Sequence, residues 1–232
     1  IGYFLFTFFS VKTFNPLFLY GPSGVGKTHL TNAIGTRIKE LYPEKRVLYV
    51  SAHLFQVQYT DSVRTNHFND FISFYQTIDV LIIDDIQFIS GKTKTQEEFF
   101  HIFNVLYQNN KQIILSSDKH PGSIPTLTDR LRSRFEGGMI ADVGMPDFET
   151  RLAILKQKAE EKGLNISFEA LEFIASNIQK NVRELEGALN KILIVEKINK
   201  RPCTLDDIKK QLKNIISVKT KITTPEKIIN AV

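Results

Sequence analysis

The sequence holds a single cysteine, Cys203, in 232 residues. That excludes an internal disulfide and fits a reducing, intracellular setting. The thiol stands beside Pro202 and just before a helix start, where it is expected to be inert. Long hydrophobic runs are also missing. The apolar run near the N-terminus extends only from Tyr3 to Phe9, whereas a membrane helix needs about 20 such residues. It has neither the basic segment nor the small-residue cleavage site of a signal peptide. The chain therefore reads as soluble and cytoplasmic, not an integral membrane protein, with that run facing a core or marking a truncated end. There is no internal repeat and no low-complexity stretch. Charge of one sign is not extreme either. A net +5 permits an anionic partner without requiring one.

What is present is an alternation of β and α patterns. NPLFLY (15–20) reads as a short apolar strand, GPSGVGKT (21–28) as a loop, and the next segment as a helix with Leu30, Ala33, Ile34, Ile38 and Leu41 on one face, stopped by Pro43. RVLYVSA (46–52) is a second strand. A helical region is expected over roughly 53–76, with Phe68, Phe71 and Phe74 at helical spacing. IDVLIIDD (78–85) is a buried strand that ends in two acids. Thr95 with Glu98 predicts a capping box at the start of a helix striped by Phe99, Phe103 and Leu106. QIILSSD (112–118) and MIADVGM (139–145) complete five strands. Such alternation implies a mostly parallel sheet covered on both faces. Beyond Pro146 only helices are expected, at roughly 148–162, 168–178, 182–199 and 205–216, with starts marked by Asn181/Glu184 and Thr204/Asp207. The boundaries expected are an α/β domain over 1–146, a small helical domain over 147–217, and a linker helix beginning in 218–232.

GPSGVGKT fits the phosphate-loop pattern through Gly21, Gly26, Lys27 and Thr28. Gly24, Val25 and His29 complete the expected cofactor-binding set. Glycines let backbone N–H groups turn towards phosphates, Lys27 reaches the β/γ-phosphates, and the Thr28 hydroxyl binds Mg²⁺. A strand before and a helix after supply the context this needs. Asp84 and Asp85, ending a buried strand, then read as a water-mediated Mg²⁺ holder and a polariser of the attacking water. Asp118 reads equally as a γ-phosphate sensor or a loop-capping aspartate.

Residues 129–135, DRLRSRF, hold three arginines at alternate positions. On a helix Arg130 and Arg134 share a face and Arg132 points elsewhere. The plain reading is a solvated basic helix paired with Asp129. Phosphoryl transfer, however, often uses an arginine from outside the nucleotide's own loop, which makes Arg130 and Arg134 candidates for a neighbouring subunit's ATP. Arg183 lies one turn into a later helix. It reads either as a lid arginine over the nucleotide or as an exposed residue paired with Glu184 or Glu186. Lys92 and Lys94 precede a helix, a place phosphates favour, against the reading of a solvated loop.

The stretches FNPLFLYG…GVGKTHL, IDVLIIDDIQFISGK, TQEEFFHIFNVLYQNNKQIILSSD, DRLRSRFEGG and NVRELEGALN closely resemble the DnaA family of bacterial chromosomal replication initiators, which are AAA+ ATPases. The resemblance runs from about Phe14 to the end. It implies an AAA+ fold, with a five-stranded parallel sheet and a helical lid, and a slow, regulatory ATPase using ATP and Mg²⁺. It also implies Asp118 as first sensor, Arg183 as lid sensor, Arg134 as a finger acting in trans, and Arg130 as a second interface arginine. Arg132 falls where the family accepts lysine and is expected at the surface. The family assembles with ATP into helical filaments on origin DNA and stretches single strands. The matching positions are Lys92, Lys94, Thr95 and Thr60, although Thr60 departs from the family's apolar residue. Replicative helicase and acidic phospholipids are partners of the full-length family. The family's helicase-interaction and helix-turn-helix domains lie outside the resemblance, so this segment is not expected to read origin sequence alone. The competing reading is a helicase loader or regulatory paralogue acting on a protein. A third, a metabolic P-loop kinase, is disfavoured by Arg183 and the arginine pair.

Overall fold

The computed structural model describes residues 14–179 and 181–217. The apolar N-terminal run and the expected linker helix of 218–232 lie outside the described residues. The chain divides into two compact units, Ile1–Gly144 and Met145–Val232.

The first unit is built on five strands: β1 (Leu17–Tyr20), β2 (Val47–Ser51), β3 (Val80–Asp84), β4 (Gln112–Ser117) and β5 (Met139–Asp142). They form one sheet in the order β2-β3-β4-β1-β5, and every pairing is parallel. The central strands are apolar without interruption because helices cover both faces. Side chains alternate along a strand, so Leu17 and Leu19 join Ile34, Ile38, Ile82 and Ile114 on one face. Phe18, one residue away, packs on the other with Phe55, Phe71, Tyr75, Phe99, Phe103 and Phe135. In that second layer Phe55 meets Tyr75 and Phe99 edge-on, at centroid distances of 5.1 and 5.5 Å. This is the geometry aromatic quadrupoles prefer.

Helix α1 (Lys27–Leu41) follows β1. Between β2 and β3 come two helices, α2 (Ala52–Arg64) and α3 (Phe68–Gln76), where one region was expected. The chain breaks at Asn66, which takes a left-handed φ of 61°; no glycine or proline announces the break. It also re-aims the stripe. Phe71 and Tyr75 are buried, whereas Phe74 is 50% exposed. A short 3₁₀ turn (Ile86–Ile89) leads from β3 into α4 (Thr93–Gln108), and α5 (Asp129–Glu136) follows β4. The expected capping box at Thr95 is corrected: α4 begins two residues earlier. Gly91 turns at φ 72° and the Lys92 N–H bonds to Ile89 O at 3.0 Å, so Lys92 is the cap residue and Thr95 is buried in the first turn.

The second unit consists of α6 (Phe148–Glu161), α7 (Phe168–Asn177), α8 (Val182–Asn199) and α9 (Leu205–Ser217). Its core is aliphatic: Leu155, Leu171, Ile174, Leu185, Leu189, Ile192, Ile208 and Leu212 are all buried. Asn181 caps α8 by accepting the Glu184 N–H at 2.8 Å. Thr204 and Asp207 cap α9 reciprocally, through N–H bonds of 3.3 and 3.1 Å.

Candidate functional site

In open parallel sheets, loops at the carboxyl ends of strands form the crevice where ligands bind. Here the loop 21–26 leaves β1, the two acids leave β3, and Asp118 leaves β4, all at that edge. Gly21 is required by close approach: a Cβ there would lie 2.2 Å from the carbonyl oxygen of Val143. Gly26, at φ 103° and ψ 15°, opens α1 with no side-chain cap. The first-turn N–H groups of α1 are thus left to an outside acceptor, at the positive end of the helix. Lys27 is buried, and its ammonium donates to the carbonyls of Gly21 and Pro22 at 2.7 and 2.9 Å. Val25 is buried beneath the loop, Gly24 is half-buried, and Thr28 and His29 are exposed.

Asp84 is the most elaborately held side chain at this edge. It is 5% exposed and accepts three hydroxyls. Thr28 and Tyr49 donate to Oδ2 at 2.8 and 2.6 Å, while Ser116 donates to Oδ1. Thr28 comes from α1, Tyr49 from β2 and Ser116 from β4, so three elements converge on one carboxylate. Burial pushes the Tyr49 phenol well above its ordinary range, and the bond to Asp84 and its charge push the same way. Asp85 follows in a left-handed conformation, φ 55°, which aspartate tolerates better than most residues. Its N–H donates to Ser116 Oγ at 2.9 Å, and its Oδ1 accepts from Gln87 at 3.0 Å. Gln87 in turn lies 3.4 Å from the Asp118 N–H. Loop 21–28, Asp84, Asp85 and Asp118 are therefore joined by a continuous set of polar contacts.

Arg130, Arg132 and Arg134 do not behave alike. Arg130 and Arg134 are exposed, and both guanidinium carbons lie 6.0 Å from the centroid of the Phe100 ring on α4. Among the described residues neither forms an ion pair. Arg132, expected at the surface, keeps a side chain 36% exposed. It pairs with Asp129 at 3.0 Å and donates to Leu127 O at 3.3 Å, and its Nε is buried. It ties α5 to the loop before it.

Lys92, Lys94, Thr95 and Thr60 line one groove of about 510 Å³, together with Tyr59, Val63, Arg64 and Thr93. The lysines and Thr60 are exposed. The Thr60 hydroxyl bonds to Gln56 O at 2.9 Å. Arg183 belongs to the second unit, where it is exposed near the start of α8. There Glu184 bonds to Asn181 and Glu186 pairs with Lys158.

The model of the bacterial DnaA ATPase domain matches residues 8–142. This chain belongs to that family. The chromosomal replication initiator protein DnaA of Bacteroides fragilis is 56% identical over 219 residues, covering 94% of this chain and 46% of that protein. The chain spans about half the length of the curated relatives it matches. Among solved structures, domain III of the Thermotoga maritima replication initiation protein DnaA superposes with a TM-score of 0.86 at 36% identity, covering 93% of this chain and 89% of that one. A replication initiator DnaA bound to AMPPCP and single-stranded DNA gives 0.72 at 39% identity, covering 85% and 59%. The five-stranded parallel sheet flanked by helices is thus the AAA+ fold of the DnaA ATPase domain.

Several residues at these sites escaped the sequence reading. Tyr49 and Ser116 sit on strands whose neighbours only the sheet order reveals. Gln96 had a signal: it lies three residues before Phe99 on the buried stripe of α4. Phe100 follows the buried Phe99 and reads as one more core aromatic.

Proposed function

We propose that this chain is the ATP-binding and ATP-hydrolysing core of a chromosomal replication initiator. It is switched by ATP into a helical assembly on origin DNA that melts the duplex and binds single strands. The observation that carries this reading is the division of cations between two places. Lys27 is held inside its own loop, while Arg130 and Arg134 stand exposed on Phe100 and form no ion pair among the described residues. One cation serves the chain's own nucleotide, and two are left to serve a neighbour's.

In this reading Gly21, Gly24, Val25, Gly26, Thr28 and His29 surround the phosphates. Lys27 exchanges its two carbonyl partners for phosphate oxygens. The donor set fits Mg²⁺, which binds through one or two oxygen ligands plus substrate phosphates; Thr28 and Asp84 would hold it. When bound, it would neutralise charge on the β- and γ-phosphates. Asp85 orients and polarises the attacking water. Asp118, next to Gln87, senses the γ-phosphate from the first unit, and Arg183 does so from the helical lid. Arg134 reaches a neighbouring subunit's γ-phosphate, with Arg130 beside it. Lys92 and Lys94 contact the phosphates of a single strand, with Thr95 and Thr60 in the same groove. Slow hydrolysis ends the assembled state. The domain boundary at 146/147, the linker helix, the cytoplasmic location and the wider family's helicase and acidic-phospholipid contacts belong to the same proposal. Among the described residues no helix is long and apolar enough to cross a membrane.

Sedimentation with labelled single-stranded DNA, in ATP and in ADP, tests this reading. Large complexes that carry DNA only in ATP are expected. Arg134→Ala should keep ATP affinity and lose assembly, whereas Lys27→Ala should lose nucleotide binding. Normal assembly by Arg134→Ala would overturn the trans assignment. Tight ATP binding by Lys27→Ala would remove the phosphate loop from the site.

A further inference from the structure

An acid that serves a metal must be kept ionised and kept in one orientation. Two of the hydroxyls on Asp84 have evident reasons to be there. Thr28 belongs to the phosphate loop, and Ser116, fully buried on β4, also receives the Asp85 N–H. Tyr49 does not belong to the loop or to the strands that flank it. It comes from β2, the edge of the sheet. In the parallel register Tyr49 lies opposite Ile82, and Ser51 opposite Asp84. Alternation then puts Tyr49, Ser51, Ile82 and Asp84 on one face. A long side chain two residues before the end of β2 is therefore needed to span diagonally to the carboxylate, and a tyrosine's reach brings its hydroxyl to 2.6 Å from Oδ2.

The other end of this link lies beside α1. Asn32 on α1 lines the same groove as Tyr49 and donates to Thr28 O at 2.9 Å. The phenol thus lies beside the phosphate-loop helix as well as the acid. A Cβ on Gly35 would lie 2.8 Å from Ile82 Cδ1, so α1 approaches the sheet closely there, at the side of a groove of about 450 Å³ that Tyr49 also lines.

We propose that Tyr49 is a positioning residue for the metal acid, its phenol fixing the Asp84 carboxylate in the orientation that retains Mg²⁺ beside Thr28. It acts through Asp84 and touches neither nucleotide nor metal. The inference rests on the reading of residues 21–28 as the Mg²⁺–ATP site. Groups behind a metal's own ligands commonly contribute about 10- to 100-fold in metal affinity, and Tyr49 would act at the lower end because Thr28 and Ser116 remain.

The test is Tyr49→Phe, which removes one oxygen and keeps the ring. Tyr49 is 37% exposed, so the substitution leaves the core packed. Mn²⁺ stands in for Mg²⁺ and is followed by electron paramagnetic resonance in the ATP complex. A fluorescent ATP analogue titrated in EDTA reports binding without metal. The expected result is a loss of about 10-fold in Mn²⁺ affinity, with metal-free nucleotide affinity within about twofold of the parent. Equal Mn²⁺ affinity in both proteins overturns the role of Tyr49 and leaves the phosphate-loop reading standing. Equal losses of nucleotide affinity with and without metal assign Tyr49 to the shape of the loop and also overturn the proposal. A parent chain that binds no nucleotide overturns the phosphate-loop reading, and this inference with it.

Discussion

Replacing Gln96 by leucine should destabilise the first unit by about 2 kcal/mol. Gln96 is 1% exposed on α4 and makes three hydrogen bonds to backbone. Its amide nitrogen donates to Ile89 O at 3.1 Å and Thr126 O at 3.0 Å, and its oxygen accepts the Thr128 N–H at 2.9 Å. The side chain thus pins the 3₁₀ turn after the acids to the loop that enters α5. Leucine has nearly the same volume and can bond to none of them. Thr126 is exposed, and water can replace its partner at little cost. Ile89 O keeps the Lys92 N–H, so the half-buried Thr128 N–H is the group left stranded, at about 1–3 kcal/mol. The added apolar surface of leucine offsets part of this cost. At about 3 °C per kcal/mol for a chain of this size, the melting temperature should fall by about 6 °C. Urea unfolding should show a lower midpoint with an unchanged slope. A loss below about 1 kcal/mol would mean that water reaches the Thr128 N–H, and would refute the view of Gln96 as a buried staple.

Gly21→Ala should cost about 1–3 kcal/mol through overpacking and weaken ATP binding, because its Cβ would meet backbone at Val143; Gly144→Ala, with nothing within 4 Å of the new atom, is the neutral control in the same melting and titration assays. Stability should also fall on the acid side. Hydrogen bonds hold three carboxylates below their ordinary range: the Arg46 N–H and Lys111 for Asp79, Thr150 for Asp147, and Arg201 and Thr204 for Asp207. A lowered native value means that the unfolded chain takes up protons first. Their contribution is complete above about pH 4 and is lost as pH falls below it. Urea midpoints that stay level from neutral pH to below that window would contradict the pairing.

How much of this was legible in the sequence depended on the range of the interaction responsible. The strands read clearly because both faces of the sheet are covered. Phe18 and its neighbours Leu17 and Leu19 are buried on opposite sides, and the apolar run needs no other explanation. The helices of the second unit read to within a residue or two because Asn181 and Thr204 announce two of their starts through bonds to groups three residues away. What failed was set by tertiary context. Asn66 breaks a helix by adopting a conformation that asparagine only permits. Thr95 matched a capping pattern, but the turn through Gly91 starts α4 before it and buries it.

The site shows the same division. Gly21 to Thr28 are contiguous, so their chemistry is written as a pattern. The surroundings of Asp84 are assembled from α1, β2 and β4, and only the order β2-β3-β4-β1-β5 brings Tyr49 and Ser116 to opposite oxygens of one carboxylate. The arginine pair lies between these cases. Spacing alone puts Arg130 and Arg134 on one face of α5, but their orientation depends on Phe100, supplied by a helix some thirty residues earlier in the chain. Two cations on one ring repel each other and are each attracted by its face. The ring therefore holds them parted and exposed, while Arg132 pairs with Asp129. A polar neighbour at position 100 would give either arginine a local partner. The aromatic leaves both without an ion pair among the described residues.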